Sequence, residues 1–207
     1  MKKILKTLID YSLFEKYDKD YFINNKILPL FENDISIKMA VCKNSKLETI
    51  KNDFNKVISF LEIDELELLF MISHIDQKTL LYSMALKAIS QNSFEKYVDK
   101  FLQELLSFSI NLRASDIHIE QYKDVILFKF RIDGRLKTFF AFYSEFFKLI
   151  SSYIKLISTL DMTQIRLPQD GRFALNIEDK KYDFRVSTMP TLEAESIVLR
   201  ILDNKNI

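Results

Sequence analysis

The chain has 207 residues, with 30 Lys and Arg against 29 Asp and Glu, so at a net charge of +1 no global field draws it to nucleic acid or an anionic membrane. Any anion site has to be local. A hydrophobic share of 48% supports one large or two small packed domains, and the single Cys42 excludes an internal disulfide and a cysteine zinc cage. With His74 and His118 as the only histidines, no metal site is expected, and a globular protein of the reducing cytoplasm is.

The opening "MKKILKTLIDYSLF" starts basic, but Lys6 and Asp10 break the apolar run before it reaches signal-peptide length. Ile4, Leu5, Leu8 and Ile9 recur at helical spacing, which predicts a helix packed on its own domain. No other stretch approaches the roughly 18 apolar residues of a spanning helix, so membrane work would need a protein partner. "NNKILPLFEND" reads as a short extended piece between turns, and "ISIKMAV" alternates Ile35, Ile37, Met39 and Val41 as a half-buried strand. From Lys46 the period changes, and Leu47, Ile50, Phe54, Val57, Ile58 and Leu61 fall on one helical face. "LELLFMI" reads as a strand, after which Asp76 caps a helix carrying Leu80, Leu81, Met84, Ala88 and Ile89. Together these form an N-terminal α/β module over residues 1–91. The polar "SQNS" at 90–93 is the linker, with Ser93 as the cap of the next helix.

Residues 92–207 restart the pattern. Val98, Phe101, Leu102, Leu105, Leu106 and Leu112 make one helical face, and "SDIHIE" alternates as a strand. In "VILFKFRIDGRLKTFF" the Asp133-Gly134 pair between two strand-like runs supplies the positive φ angles of a tight hairpin. A long helix follows, with Phe146, Phe147, Ile150, Tyr153, Ile154 and Ile157 inward, and then "RLPQDGRFALNI", "YDFRVSTMPT" and "ESIVLRILD" as three antiparallel strands. The fold class is α+β: a small α/β module, then a PAS-like antiparallel sheet with helices on one face. The chain's two glycines, Gly134 and Gly171, both lie in Asp-Gly-Arg, and the hairpin accounts only for the first.

Asp116, His118 and Glu120 share one face of the "SDIHIE" strand, but same-face neighbours are about 7 Å apart, too far to share one small cation unaided. Ser115 and Asp116 are read as ending the preceding helix and bracing the strand. The arginines carry more. Arg131 and Arg135 flank the first Asp-Gly turn, Arg166 and Arg172 bracket "LPQDG", Arg185 shares a face with Asp183, and Arg200 sits inside the apolar "SIVLRIL". Singly, each reads as a surface ion pair worth at most about 1 kcal/mol. Gathered near two hairpins, they make a surface for a polyanion such as a nucleotide phosphate.

"ASDIHIE", "FRIDGRL", "LDMTQIRLPQDGR", "DFRVSTMPT" and "ESIVLRILD", in this order and spacing, resemble the domain upstream of the P-loop in the type II secretion and type IV pilus assembly ATPases. The resemblance runs from about Phe101 to Asp203. Residues 1–90, with "KILPLFENDISIKMAV", resemble more weakly the N-terminal module of the secretion and assembly members. The family pattern often has arginine in place of Lys129, a lysine-arginine pair in place of Ile165-Arg166, and glycine in place of Ala194. The Arg-Leu-Gly repeat that binds a cyclic dinucleotide in some relatives has no counterpart, since no glycine precedes Gly134.

The resemblance implies a cytoplasmic motor for secretion, pilus assembly or DNA uptake (competence), a homo-hexamer holding ATP and Mg²⁺ between this region and its own C-terminal ATPase domain. It implies that Arg185 and Arg200 are catalytic arginine fingers toward the γ-phosphate, and that Arg131, Arg166 and Arg172 contact nucleotide or the domain interface. Ile201, Leu202 and Asp203 would lead into the nucleotide pocket. The N-terminal module would dock on a cytoplasmic segment of an inner-membrane assembly protein, with no nucleic acid bound and no membrane insertion. No G-x-x-x-x-G-K-[ST] phosphate cradle occurs in the sequence, so no ATP turnover or cofactor is expected for the chain alone. It is read as the N-terminal part of a longer ATPase, or alternatively as a free-standing docking adaptor.

Overall fold

The computed structural model describes residues 8–47, 50, 54–90, 94–192 and 194–202. It divides into two units, residues 1–83 and 84–207, with the division inside the helix α4 (Ile75–Ser90). Ser93, expected to cap the next helix, lies outside the described residues.

The first unit opens with short helices α1 (Leu13–Lys16) and α2 (Lys19–Asn25), the latter capped by Asp18, whose carboxylate accepts from Asp20 N at 2.9 Å. Strands β1 (Ile27–Glu32), β2 (Ser36–Val41) and β3 (Val57–Glu62) form a sheet in the order β1-β2-β3. β1 and β2 are antiparallel, whereas β3 runs parallel to β2. Ile37, Met39 and Val41 are buried as their alternation predicts, but Ile35, just ahead of β2, is exposed. Phe22, fully buried, meets Phe14 and Tyr17 edge to face with ring centroids at 5.7 and 6.1 Å.

Four expectations are corrected in this unit. The helix expected from Lys46 is helical at Leu47 and Ile50, but Val57, Ile58 and Leu61 lie in β3, because β-branched residues there pair with β2. "LELLFMI" is not a strand. It is the helix α3 (Glu65–Ile72), since Asp64 accepts from Leu66 N and Glu67 N and so nucleates the first turn. Its apolar run buries Leu68 and Ile72 four apart while Leu66 stays exposed. The final carbonyls of α3, Phe70 O and Met71 O, accept from the buried Lys78 Nζ. Asp76 does not cap α4 but lies in its first turn and accepts from Lys19 Nζ at 2.7 Å. Leu8 and Ile9 are not helical, and Ile4 and Leu5 lie outside the described residues.

The second unit holds α5 (Phe94–Asn111), strands β4 (Asp116–Tyr122), β5 (Val125–Ile132) and β6 (Arg135–Tyr143), then α6 (Glu145–Ile157) and strands β7 (Gln169–Ile177), β8 (Lys180–Pro190) and β9 (Glu195–Leu202). The six strands run β6-β5-β4-β9-β8-β7, antiparallel throughout. The fold is α+β.

Both helices cover one face of this sheet. Phe101 of α5 meets Phe128, Phe140 and Phe146, with ring centroids at 5.2, 6.3 and 4.7 Å, and Phe142 meets Phe146 at 5.7 Å. Ile117, Ile119, Ile197, Leu199, Phe184 and Val186 alternate onto the same face and are fully buried. The β5–β6 turn has Asp133 at φ 49° and Gly134 at φ 74°, the predicted left-handed pair.

Gly171 answers a different need. A Cβ there would lie 2.8 Å from Ser158 O, just past α6, so the missing side chain lets that helix end rest on β7.

Lys155 lies on the buried side of α6, and its ammonium reaches both Glu195 carboxylate oxygens at 2.8 Å and Gln164 O at 2.8 Å. The two side chains are 1% and 3% exposed, a closed ion pair between α6 and the first residue of β9.

Candidate functional site

The second face of the six-stranded sheet carries the polar residues. Asp116 starts β4, and pairing across the sheet sets five residues opposite one another: Arg131 on β5, Asp116, Arg200 on β9, Arg185 on β8 and Arg172 on β7. Adjacent members of this row have Cα atoms about 5 Å apart. Five sheet-crossing positions thus hold four guanidiniums. Asp170 lies in the neighbouring row, opposite Ser187.

Asp116 is buried, its side chain 6% exposed, while Arg200 above it is 62% exposed. Asp116 Oδ1 accepts from Arg200 Nε at 2.8 Å, and Oδ2 accepts from Ser115 Oγ at 2.8 Å and pairs with Arg131 Nε at 3.3 Å. Burial pushes the Asp116 pKa up, but the hydrogen bonds from Arg200 and Ser115 and the nearby guanidiniums outweigh it, holding the carboxyl below its ordinary range. Arg185, half exposed, donates from Nη2 to Asp170 Oδ1 at 3.2 Å, and Ser187 Oγ donates to the same oxygen at 2.7 Å. Arg172 is exposed and makes no ion pair among the described residues.

Beside the row, Glu120 is taken by Lys129 Nζ and by Tyr122 OH. Burial first, and then Arg131, lower the His118 pKa, which favours neutral imidazole. Asp116 and Glu120 are thus committed to cations of their own sheet. Among the described residues no group of three or more His, Cys, Asp or Glu is placed to hold a metal ion.

The row therefore joins Arg131, Arg172, Arg185 and Arg200. Arg166 is not part of it: it lies in the exposed loop between α6 and β7, where its backbone N–H donates to Gln164 Oε1. Ile201 pairs with Phe184 on the helix-covered face, Leu202 ends β9 opposite Asp183, and Asp203 lies outside the described residues. Arg200 is not buried among apolar neighbours, because its strand alternates: Ile197 and Leu199 point inward and Arg200 points to the opposite face. Asp116 is not a helix terminator. The sequence signal that could have exposed its role is the shared parity of Asp116 in "SDIHIE" and Arg131 in "FKFRI" on adjacent strands.

Four guanidiniums therefore lie across one face of a sheet whose other face is covered by α5 and α6. Residues 90–207 match the family model "Type II/IV secretion system protein", and the chain belongs to that family. It is similar to type II secretion system protein E of Aeromonas hydrophila, 42% identical over 108 residues, covering 52% of this chain and 22% of that protein. It is likewise similar to the putative type II secretion system protein E of Escherichia coli K12, 41% identical over 110 residues and covering 53% of this chain and 22% of that one. The type II secretion system ATPase E of Vibrio cholerae is 39% identical over 104 residues, covering 50% and 21% of the two chains. The chain thus spans about a fifth of the length of these curated relatives. Among solved structures, the ATPase DotB of Legionella pneumophila is similar at a TM-score of 0.40 and 20% identity over 50% of this chain and 28% of that one, a likeness too partial to bear on the site. Among the described residues no helix is long and apolar enough to cross a membrane.

Proposed function

We propose that this chain is the N-terminal, arginine-supplying region of a hexameric ATPase that powers type II secretion, type IV pilus assembly or DNA uptake. Residues 92–207 offer Arg185 and Arg200 as arginine fingers to the γ-phosphate of ATP and Mg²⁺ held by a P-loop domain. Arg131, Arg166 and Arg172 serve the same interface, and Ile201, Leu202 and Asp203 lead toward the pocket. One observation carries this reading: Arg200, Arg185 and Arg172 stand directly opposite one another on three adjacent strands. Like charges so placed repel, and burial cannot explain them, since all three are exposed. An external polyanion turns that repulsion into binding, and planar guanidiniums suit the charge that develops on phosphoryl oxygens.

The test is turnover. The 207-residue chain alone shows none, and in a polypeptide that adds a P-loop domain Arg185→Ala or Arg200→Ala lowers kcat on the order of a hundredfold or more. Near-normal rates in both variants reject the role.

A second reading, docking on a cytoplasmic segment of an inner-membrane assembly protein through residues 1–91, is favoured by an exposed apolar edge. Ile35 is 73% and Val57 66% exposed, and Val57 N donates to Ile35 O at 2.9 Å, with Phe60 further along the same edge strand. The full chain captures such a segment from membrane extract in this reading, and Ile35→Asp abolishes capture; capture unchanged by that substitution counts against it.

A further inference from the structure

The open pair at the start of β4 has a feature that charge neutralisation alone does not require. Asp116 grips Arg200 through Nε, the inner nitrogen of the guanidinium, at 2.8 Å, rather than through the terminal pair. Both Nη groups of Arg200, with four N–H donors, are left without a partner among the described residues. Arg131 is held in the same manner, through Nε at 3.3 Å, while its Nη1 donates to Gly134 O at 3.2 Å. The carboxylate cannot turn to take Arg200 by both nitrogens, because Oδ2 is occupied by Ser115 Oγ and Arg131.

We propose that Asp116 is the positioning residue of the arginine row, fixing Arg200 by its Nε so that both Nη groups face an incoming oxyanion. The inference rests on the reading of the row as a polyphosphate surface and adds how one of its members is aimed. A freely rotating arginine loses side-chain entropy each time it binds, and a clamped one has already lost most of it. Burial of Asp116 is what makes the clamp stiff: the carboxylate is fixed in the sheet, and its low pKa keeps it charged through the neutral range. Arg185 differs. Its partner Asp170 is itself 60% exposed and is reached through Nη2, so that contact spends a terminal donor and competes with any anion.

The test uses the 207-residue chain and inorganic tripolyphosphate, followed by the ¹⁵N–¹H resonances of the arginine Nε–H groups. In the wild type, the Arg200 Nε–H is protected from solvent exchange, and tripolyphosphate shifts the signals of Arg200 and Arg185. In Asp116→Asn the protection and the Arg200 shift are lost while the Arg185 shift stays. The double change Ser115→Ala with Arg131→Gln removes both groups that occupy Oδ2 and frees it to take Arg200 by two nitrogens, so it too diminishes the Arg200 shift relative to that of Arg185. An Arg200 shift unaltered in either folded variant overturns the positioning role. Absence of any arginine shift in the wild type instead removes the polyphosphate reading on which it rests.

Discussion

The two ends of β9 hold the same chemistry in opposite settings. At its start, Glu195 and Lys155 are both almost fully buried, and the ammonium's donors go to the carboxylate and to Gln164 O. Near its end, Asp116 is buried but its partner Arg200 is 62% exposed and leaves both Nη groups over. A closed pair has nothing left to offer a ligand, and it fixes α6 against the sheet. An open pair adds little to stability and keeps directed positive charge at the surface. The molecule thus separates a closed ion pair from an open one by exposure of the cation, five residues apart on one strand.

Breaking the closed end should produce the largest effect. Lys155→Met strands Glu195 in the interior and is expected to cost about 3–5 kcal/mol, read as a lowered urea midpoint. Adding Glu195→Leu to it recovers most of the loss, because two apolar side chains replace two charges. If the single variant melts like the wild type, the pair is not the fastener described. Gly171→Ala comes next, at about 1–3 kcal/mol, since the new methyl meets backbone at Ser158 O rather than a yielding side chain. Arg200→Ala should be smallest of the three: Asp116 keeps Ser115 and Arg131, so the thermal midpoint stays much nearer the wild type than in Lys155→Met. A drop as large as that of Lys155→Met would erase the distinction between the two ends.

Much of the second unit was readable from local pattern alone. Period-two alternation located β4, β8 and β9, and Asp133-Gly134 marked its turn because tight hairpins demand left-handed backbone there. The first unit was less so. Seven apolar-rich residues from Leu66 read equally as strand or helix, and the Asp64 cap decided between them. Val57, Ile58 and Leu61 fit a helical period by accident, while their parallel partner on β2 lies about twenty residues earlier, beyond any local signal. The arginine row has the same character. Each arginine was visible, but that Arg131, Arg172, Arg185 and Arg200 line up depends on strand order and register. Arg166, immediately before the same "LPQDG" stretch, was indistinguishable in sequence and falls in a loop instead. Lys155 and Glu195 are 40 positions apart, and nothing local announces either as buried.

The most direct measurement is kcat for Arg200→Lys and Arg185→Lys in a polypeptide that joins this chain to a P-loop ATPase domain. Lysine preserves the charge but not the planar fork, so the account predicts that each variant loses at least about tenfold in turnover despite an unchanged net charge. Rates equal to the wild type in both would show that the row supplies only general positive potential, and that no guanidinium meets the transferring phosphate.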